Sequence, residues 1–291
     1  ARGLGAKYLY DELAPEIDPL SPANKLLLLI GVLGNTGLQG FSKWAAISKS
    51  PLTGTIFRSI SGGNFGVWMK HAGYDLIIVE GKAKAPSYIH IDTAGVHFLT
   101  ATDLWGMDYR QLQEQMKKRH GPRTESACIG PAGEKQVRYA VIHSGERTAS
   151  RGGMGTVMGS KNLKAIVVKE PKDKTLFRAG ENGHEAIKRY IWQMKNSPHY
   201  KDVKKHGGAG YVTWADDLGI LATRNFRQNT FDEAGQIDGK NLEQNITRTR
   251  GCYRCPVRCK AELSFDDGKL KGKKAVRPEF EPMLSLGSRC G

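Results

Sequence analysis

Three of the chain's five cysteines fall in one stretch, Gly251-Cys252-Tyr253-Arg254-Cys255-Pro256-Val257-Arg258-Cys259. The C-x2-C-x3-C spacing lets one short loop turn three thiolates toward a common centre, as a four-iron four-sulfur cluster requires. Pro256, directly after Cys255, stiffens that loop and removes a competing backbone donor. The order is the reverse of the C-x3-C-x2-C of radical enzymes that use S-adenosylmethionine. Zinc is the alternative occupant, although tetrahedral zinc sites usually pair two C-x2-C or Cys/His units. So few cysteines, so unevenly spaced, argue against a disulfide framework and for a reducing, cytoplasmic setting.

The 291 residues are enough for about two domains, each with its own core. No stretch approaches the ~18 apolar residues of a membrane span. The longest apolar run, Leu26–Ile30, suits a buried strand. The opening Ala1-Arg2-Gly3 has no methionine and no signal-peptide pattern, and the end at Cys290-Gly291 has no stop pattern, so a fragment is expected. A formal charge of +15 raises the possibility of nucleic acid. The lysines and arginines read as dispersed and mixed with acids, however, and no RNA- or DNA-reading module is present. Anionic cofactors bound by the basic part of a larger enzyme explain the charge better.

Strands are expected at Lys25–Leu33, Trp44–Ser48, Thr55–Ile60, Asp75–Glu80, Ser87–Ile91, Val96–Leu99, Val137–His143 and Ala165–Lys169, separated by Gly, Pro, Asn and Asp. Helices are expected at Phe65–His71 and at Tyr109–His120, where Leu112 and Met116 recur at i, i+4. After the polar linker Glu170-Pro171-Lys172-Asp173-Lys174 the pattern turns helical, at Ala186–Met194 and Tyr211–Leu218. This gives an α+β chain with a β-rich domain over 1–171 and the start of a helical domain over 172–291.

The 35 glycines cluster at Gly31–Gly40, Ser61–Gly66, Gly130–Gly133 and Arg151–Gly159. Glycine is used where backbone must approach a ligand closely or take φ > 0. Ser61-Gly62-Gly63-Asn64-Phe65-Gly66 follows a strand and leads into a helix, an arrangement that suits an anion. The stretch from Arg147 to Asn162 adds two arginines, whose planar forks suit phosphate. Tight turns alone are the plainer reading of each loop. A dinucleotide fingerprint fits poorly: Gly159 is one position late for G-x-G-x-x-G after Gly153, and no acidic residue closes a second strand. Gly159-Ser160-Lys161 also reverses the G-K-S/T order of a P-loop.

Together these segments resemble the aldehyde:ferredoxin oxidoreductase family of tungsten-pterin enzymes. The resemblance rests on Asp18-Pro19-Leu20-Ser21-Pro22, on Lys49-Ser50-Pro51 with Thr53-Gly54, on Ser61–Gly66 with Ala72-Gly73-Tyr74-Asp75, on Ile129–Glu134, and on Arg151-Gly152-Gly153 through Ala165. The cysteine loop and Pro278-Glu279-Phe280-Glu281 follow in the family's order. It implies an N-terminal domain of two antiparallel β-sheets beneath a tungsten or molybdenum ion held by two pterin dithiolenes. By the same resemblance, Gly62 and the loop Arg147, Thr148, Ser150, Arg151 and Gly152 bind the pterin phosphates, and a magnesium ion takes the backbone carbonyls of Ile60 and Thr148. Dianionic phosphates want such arginines, backbone N–H groups and a hard cation.

Two positions depart from the family pattern. Lys43 stands where the family has an arginine beside the pterin, keeping the charge but losing the fork. Ile60 stands where an asparagine commonly precedes S-G-G. Cys252, Cys255 and Cys259 would be three ligands of the 4Fe-4S cluster. Cys290 falls in a helical stretch and is expected to be a buried structural thiol. Glu281 matches the family glutamate near the metal and is the candidate acid–base group, with Glu279 the nearest alternative. The resemblance implies oxidation of an aldehyde to a carboxylic acid, ferredoxin or a related electron-transfer subunit as acceptor, and a homodimer or hetero-oligomer. The alternatives are a family member reducing the ring of an aromatic acyl-CoA thioester or, in a different class, a basic zinc-loop protein that binds nucleic acid.

Overall fold

The apolar run at the start of the chain forms strand β1 (Leu26–Ile30), with all five side chains buried. The structure, a computed structural model, describes residues 2–36, 38–172 and 180–291. Gly37 of the first glycine cluster and Asp173 and Lys174 of the expected linker lie outside the described residues. The chain divides into two units, Ala1–Gly183 and His184–Gly291.

In the first unit, β1 pairs with β2 (Trp44–Lys49) and β4 (Leu76–Val79), and β2 with β3 (Ile56–Ser61). This sheet runs β3-β2-β1-β4 and is antiparallel throughout. Helix α1 (Arg2–Glu12) covers one face, its Leu9 packing on Leu27, Leu29, Ala45 and Ile47. Helix α2 (Phe65–His71) seats Phe65 against Trp44, with ring centroids 5.1 Å apart.

The second sheet holds β5 (Ser87–Asp92), β6 (Gly95–Thr100), β7 (Thr124–Cys128), β8 (Ile142–Ser144), β9 (Arg147–Ala149) and β10 (Leu163–Lys169), in the order β6-β5-β10-β7-β8-β9. Its pairs are antiparallel except β5 with β10, which is parallel. Helix α3 (Tyr109–His120) lays Leu112 and Met116 on Tyr88, Cys128, Ala165 and Val167. Asp108 and Gln111 close a capping box at its start. After the short α4 (Pro131–Glu134) comes α5 (Met154–Ser160), which, like α2, packs on strands of both sheets. The two sheets thus share a middle layer of two short helices.

One expected strand changes here, and two further elements were not expected. Of Val137–His143, only Ile142 and His143 are in a strand; Val137 N–H donates to Ala132 O at 2.9 Å and Ala140 N–H to Val137 O at 2.9 Å, so turns occupy the rest. Strand β7 was not expected from Thr-Glu-Ser-Ala-Cys, a sequence without an apolar run; pairing with β10, as Val167 opposite Ser126, makes it a strand. Helix α5 is hidden by two glycines in its sequence, and its seven residues are all buried.

In the second unit, α6 (Glu181–Lys195) begins just before the division, and α7 (Tyr200–His206) and α8 (Val212–Asp217) follow. A three-stranded antiparallel sheet then forms from β11 (Ile246–Arg250), β12 (Lys260–Ser264) and β13 (Lys274–Val276), in that order. Helix α9 (Phe280–Leu286) packs Phe280, Met283 and Leu284 against a core of Val212, Ala215, Leu221 and Ala234. The unit is less purely helical than its early sequence suggests, because the cysteine loop is carried on this sheet.

Candidate functional site

The edge strands β3 and β9 come together in the first unit, and they bring the two glycine-rich loops with them. Ser59 Oγ accepts from Arg151 N–H at 3.0 Å, and Ser50 Oγ donates to Gly152 O at 2.7 Å. A Cβ on Gly152 (φ 72°) would stand 2.3 Å from the Phe57 ring, and one on Gly153 (φ 69°) 2.1 Å from Arg138 O. Only glycine fits both positions. Strands β8 and β9 are joined by Gly145 (φ 60°) and Glu146, a two-residue turn with glycine at the position that needs positive φ. On the other loop, a Cβ at Gly63 would lie 3.4 Å from Ser144 O and 4.0 Å from Arg147 Cγ. The Ser61–Gly66 loop therefore abuts the β8–β9 hairpin.

At this junction Ile60, Ser150 and Arg151 are exposed, Gly62, Arg147 and Thr148 are half-buried, and Gly152 is buried. The hydroxyls of Ser61 and Ser144 are buried and have no hydrogen-bond partner among the described residues. Two arginines, glycine backbone and two such hydroxyls suit an anionic, phosphate-bearing group. Lys43 is exposed between the buried Ser42 and Trp44. Behind the loop, Asn64 Nδ2 donates to Glu125 Oε1 at 3.0 Å. Burial pushes the Glu125 carboxyl above its ordinary value.

Other motif residues hold the fold. Lys164 Nζ donates to Met107 O at 2.8 Å and pairs with the Glu134 carboxylate, which in turn accepts from Gly106 N–H at 2.9 Å. Lys161 Nζ reaches the carbonyls of Pro22, Asn24 and Gly81, and burial pushes its pKa down to about 8. A Cβ at Gly159 would stand 1.9 Å from Gly133 O, which ties the two glycine blocks to each other as packing partners.

In the second unit, Cys252–Cys259 connects β11 to β12. Cys255 N–H donates to Cys252 O at 2.9 Å, and Arg254 (φ 50°) and Arg258 (φ 47°) are left-handed, so the backbone turns tightly twice. All three thiols are half-buried and none is in a disulfide. Among the described residues no set of three or more His, Cys, Asp or Glu side chains is gathered as a metal site, so the thiols share a loop without meeting at one centre. As a donor set, soft thiolates on one loop fit an iron–sulfur cluster.

The loop is anchored by residues that the motif did not reveal. Buried Arg277 donates from Nη1 to Lys205 O at 2.6 Å and from Nη2 to Cys259 O at 2.7 Å. Tyr200 Oη donates to Pro256 O at 3.2 Å. A Cβ at Gly207 (φ 66°) would stand 2.5 Å from Cys259 O. The one signal was position: Arg277 stands immediately before Pro278-Glu279-Phe280-Glu281.

The two candidate glutamates differ in surroundings. Glu279 is half-buried and pairs with Lys260 Nζ at 3.2 Å, whereas Glu281 lies exposed in the first turn of α9. Cys290 is exposed, contrary to the expected buried thiol: the helix ends before it, at Leu286, and its Sγ donates to Ser285 O at 3.3 Å. The buried thiol is Cys128, whose pKa burial pushes up to about 12. No helix among the described residues is long and apolar enough to cross a membrane.

Residues 1–170 match the family described as aldehyde ferredoxin oxidoreductase, N-terminal domain, and residues 185–291 match its domains 2 and 3. The chain is 38% identical over 295 residues to the tungsten-containing aldehyde ferredoxin oxidoreductase of Pyrococcus horikoshii, covering 100% of this chain and 48% of that protein. It is 37% identical to the enzyme of the same name from Pyrococcus abyssi, with the same coverage of 100% and 48%. Among solved structures it resembles the active-site complex BamBC of benzoyl coenzyme A reductase with 1,5-dienoyl-CoA, at a TM-score of 0.79 and 28% identity over 99% of this chain and 47% of that one. The chain thus spans about half the length of the curated relatives it matches.

Proposed function

Because the chain belongs to the aldehyde ferredoxin oxidoreductase family, we propose that it is part of an enzyme that oxidises an aldehyde to a carboxylic acid and passes the electrons to ferredoxin. The observation that carries this reading is the meeting of the Ser61–Gly66 loop with the β8–β9 hairpin, where Gly63 approaches Ser144 and Arg147 and Ser59 on β3 holds the Arg151 backbone. The pterin-binding domain would cover 1–171 and the helical domain would begin at 172.

A bound tungsten (or molybdenum) bis-pterin would supply the two-electron oxidation. Around it, the guanidinium groups of Arg147 and Arg151 would offset the phosphate charge, and Gly62, Ser150 and Gly152 would offer backbone N–H groups at close approach. The Ile60 and Thr148 carbonyls would orient toward magnesium. Lys43 would add positive charge without a bidentate fork. Cys252, Cys255 and Cys259 would hold the 4Fe-4S cluster, with Arg277 fixing the backbone at the third ligand. Glu281 would accept the proton from the attacking water. The reaction balances as aldehyde plus water giving carboxylic acid, two protons and two electrons, the electrons leaving one at a time to two ferredoxins. A cytoplasmic homodimer or hetero-oligomer completes this reading.

The likeness to benzoyl coenzyme A reductase supports a second reading, reduction of an aromatic coenzyme A thioester. Turnover separates the two. With the full-length enzyme, an aldehyde should reduce a viologen dye and yield the matching carboxylate. Absence of aldehyde turnover in a preparation that instead reduces benzoyl-CoA would replace the first reading by the second.

A further inference from the structure

The positive charge is not spread evenly after all. Residues 246–277 hold ten Lys/Arg against three Asp/Glu, so nearly half of the chain's net +15 sits on the β11–β13 sheet and the cysteine loop that joins its first two strands. Arg277 is buried and spent on carbonyls, and Arg250 pairs with Glu262. Exposed, as Arg250 also is, are Arg248, Arg254, Lys269, Lys271, Lys273 and Lys274. The lysines lie on the β12–β13 connection and on β13, an edge strand whose three residues are all exposed. The arginines lie at and beside the cysteine loop.

We propose that this basic sheet is the docking face for an acidic electron-carrier protein of the ferredoxin type, an assignment that rests on the function proposed above. Charge complementarity selects the partner: a face with this excess of cations repels a cationic protein and steers an acidic one to it. Geometry fits the same occupant. Strand β12, Lys260–Ser264, separates the cysteine loop from the lysine turn by only about 17 Å at the usual rise of a strand. One small redox interface, below about 1,200 Å², spans both. A carrier gripped by the lysines at one end of β12 therefore reaches the cysteine loop at the other, where electrons would leave.

The test replaces Lys271, Lys273 and Lys274 by Glu in the full-length enzyme and compares two acceptors, an acidic bacterial-type ferredoxin and methyl viologen. At low ionic strength the KM for ferredoxin should rise by on the order of tenfold or more, with kcat and viologen turnover within about twofold of wild type. Salt should raise the wild-type KM and affect the variant little. An unchanged ferredoxin KM with viologen turnover intact would overturn the docking face but leave the proposed function standing. A wild-type enzyme that reduces neither acceptor would overturn the function itself. Should the triple variant lose viologen turnover, Lys271→Gln with Lys273→Gln is measured in the same way, and an unaltered KM there counts against the proposal. Salt-sensitive binding of RNA or of anionic vesicles, without binding of ferredoxin, would overturn it too.

Discussion

Glu279 and Glu281 are two residues apart and meet different neighbours. Glu279 is held by Lys260 and stands at the start of α9, so its carboxylate already has a structural partner. Glu281 is exposed on the first turn and is available to a substrate or cofactor. Glu281→Gln keeps shape and hydrogen bonding but cannot accept a proton at neutral pH. Aldehyde oxidation should fall roughly 10²–10⁴-fold while the metal content stays intact. Glu279→Gln should cost far less in turnover and more in stability, through the lost pair with Lys260. Near-normal turnover in the Glu281 variant would remove it from the mechanism. The sequence located both glutamates but did not rank them by partner, because the pairing with Lys260 joins residues that lie 19 apart in the chain. Arg277 illustrates the same limit: its place before Pro278 is the one hint, and its hold on Cys259 joins residues 18 apart in the chain.

At the scale of elements, the β5–β6 hairpin and the end of α3 carry a histidine cluster with no part in the proposed reaction. The His90 and His120 rings stack with centroids 3.8 Å apart, and Tyr88 Oη lies 3.1 Å from His120 Nε2. Burial, then the charges of His90 and Arg119, push the His120 pKa down to about 4, with Asp92 opposing and Lys169 adding to the effect. Burial also lowers His90, against the pull of Asp92 and together with His97 and Lys169. A histidine depressed in the folded state contributes stability that is present above its unfolded value of 6.5 and lost as the pH falls toward the folded value. The urea midpoint should therefore drop between about pH 6.5 and 4, and His120→Gln should flatten that slope. An unchanged slope in the variant would show that this cluster does not govern acid stability.

Elements were legible where one local signal dominated. The apolar run of β1, the short apolar runs of β5 and β6 and the i, i+4 recurrence of Leu112 and Met116 in α3 each announce themselves within a few residues. Strand β7 and helix α5 were not legible. The first owes its form to β10 beside it, and the second is a glycine-bearing helix stabilised by complete burial. The glycine clusters are places of close approach, and the approach the structure shows is protein against protein, as with Gly159 against Gly133 and Gly152 against Phe57.

At the scale of the whole molecule, the loop junction of the first unit and the cysteine loop of the second are proposed as parts of one oxidoreductase. On that proposal the same protein carries tungsten and an iron–sulfur cluster, and metal content with EPR tests this directly. Purified full-length wild-type enzyme should contain both tungsten and iron and give a cluster signal on reduction. Cys255→Ser should lose iron and that signal, since a hard hydroxyl replaces a soft thiolate, whereas Cys290→Ser should keep both. Zinc as the sole metal of the wild type, or undiminished iron in the Cys255 variant, would contradict this.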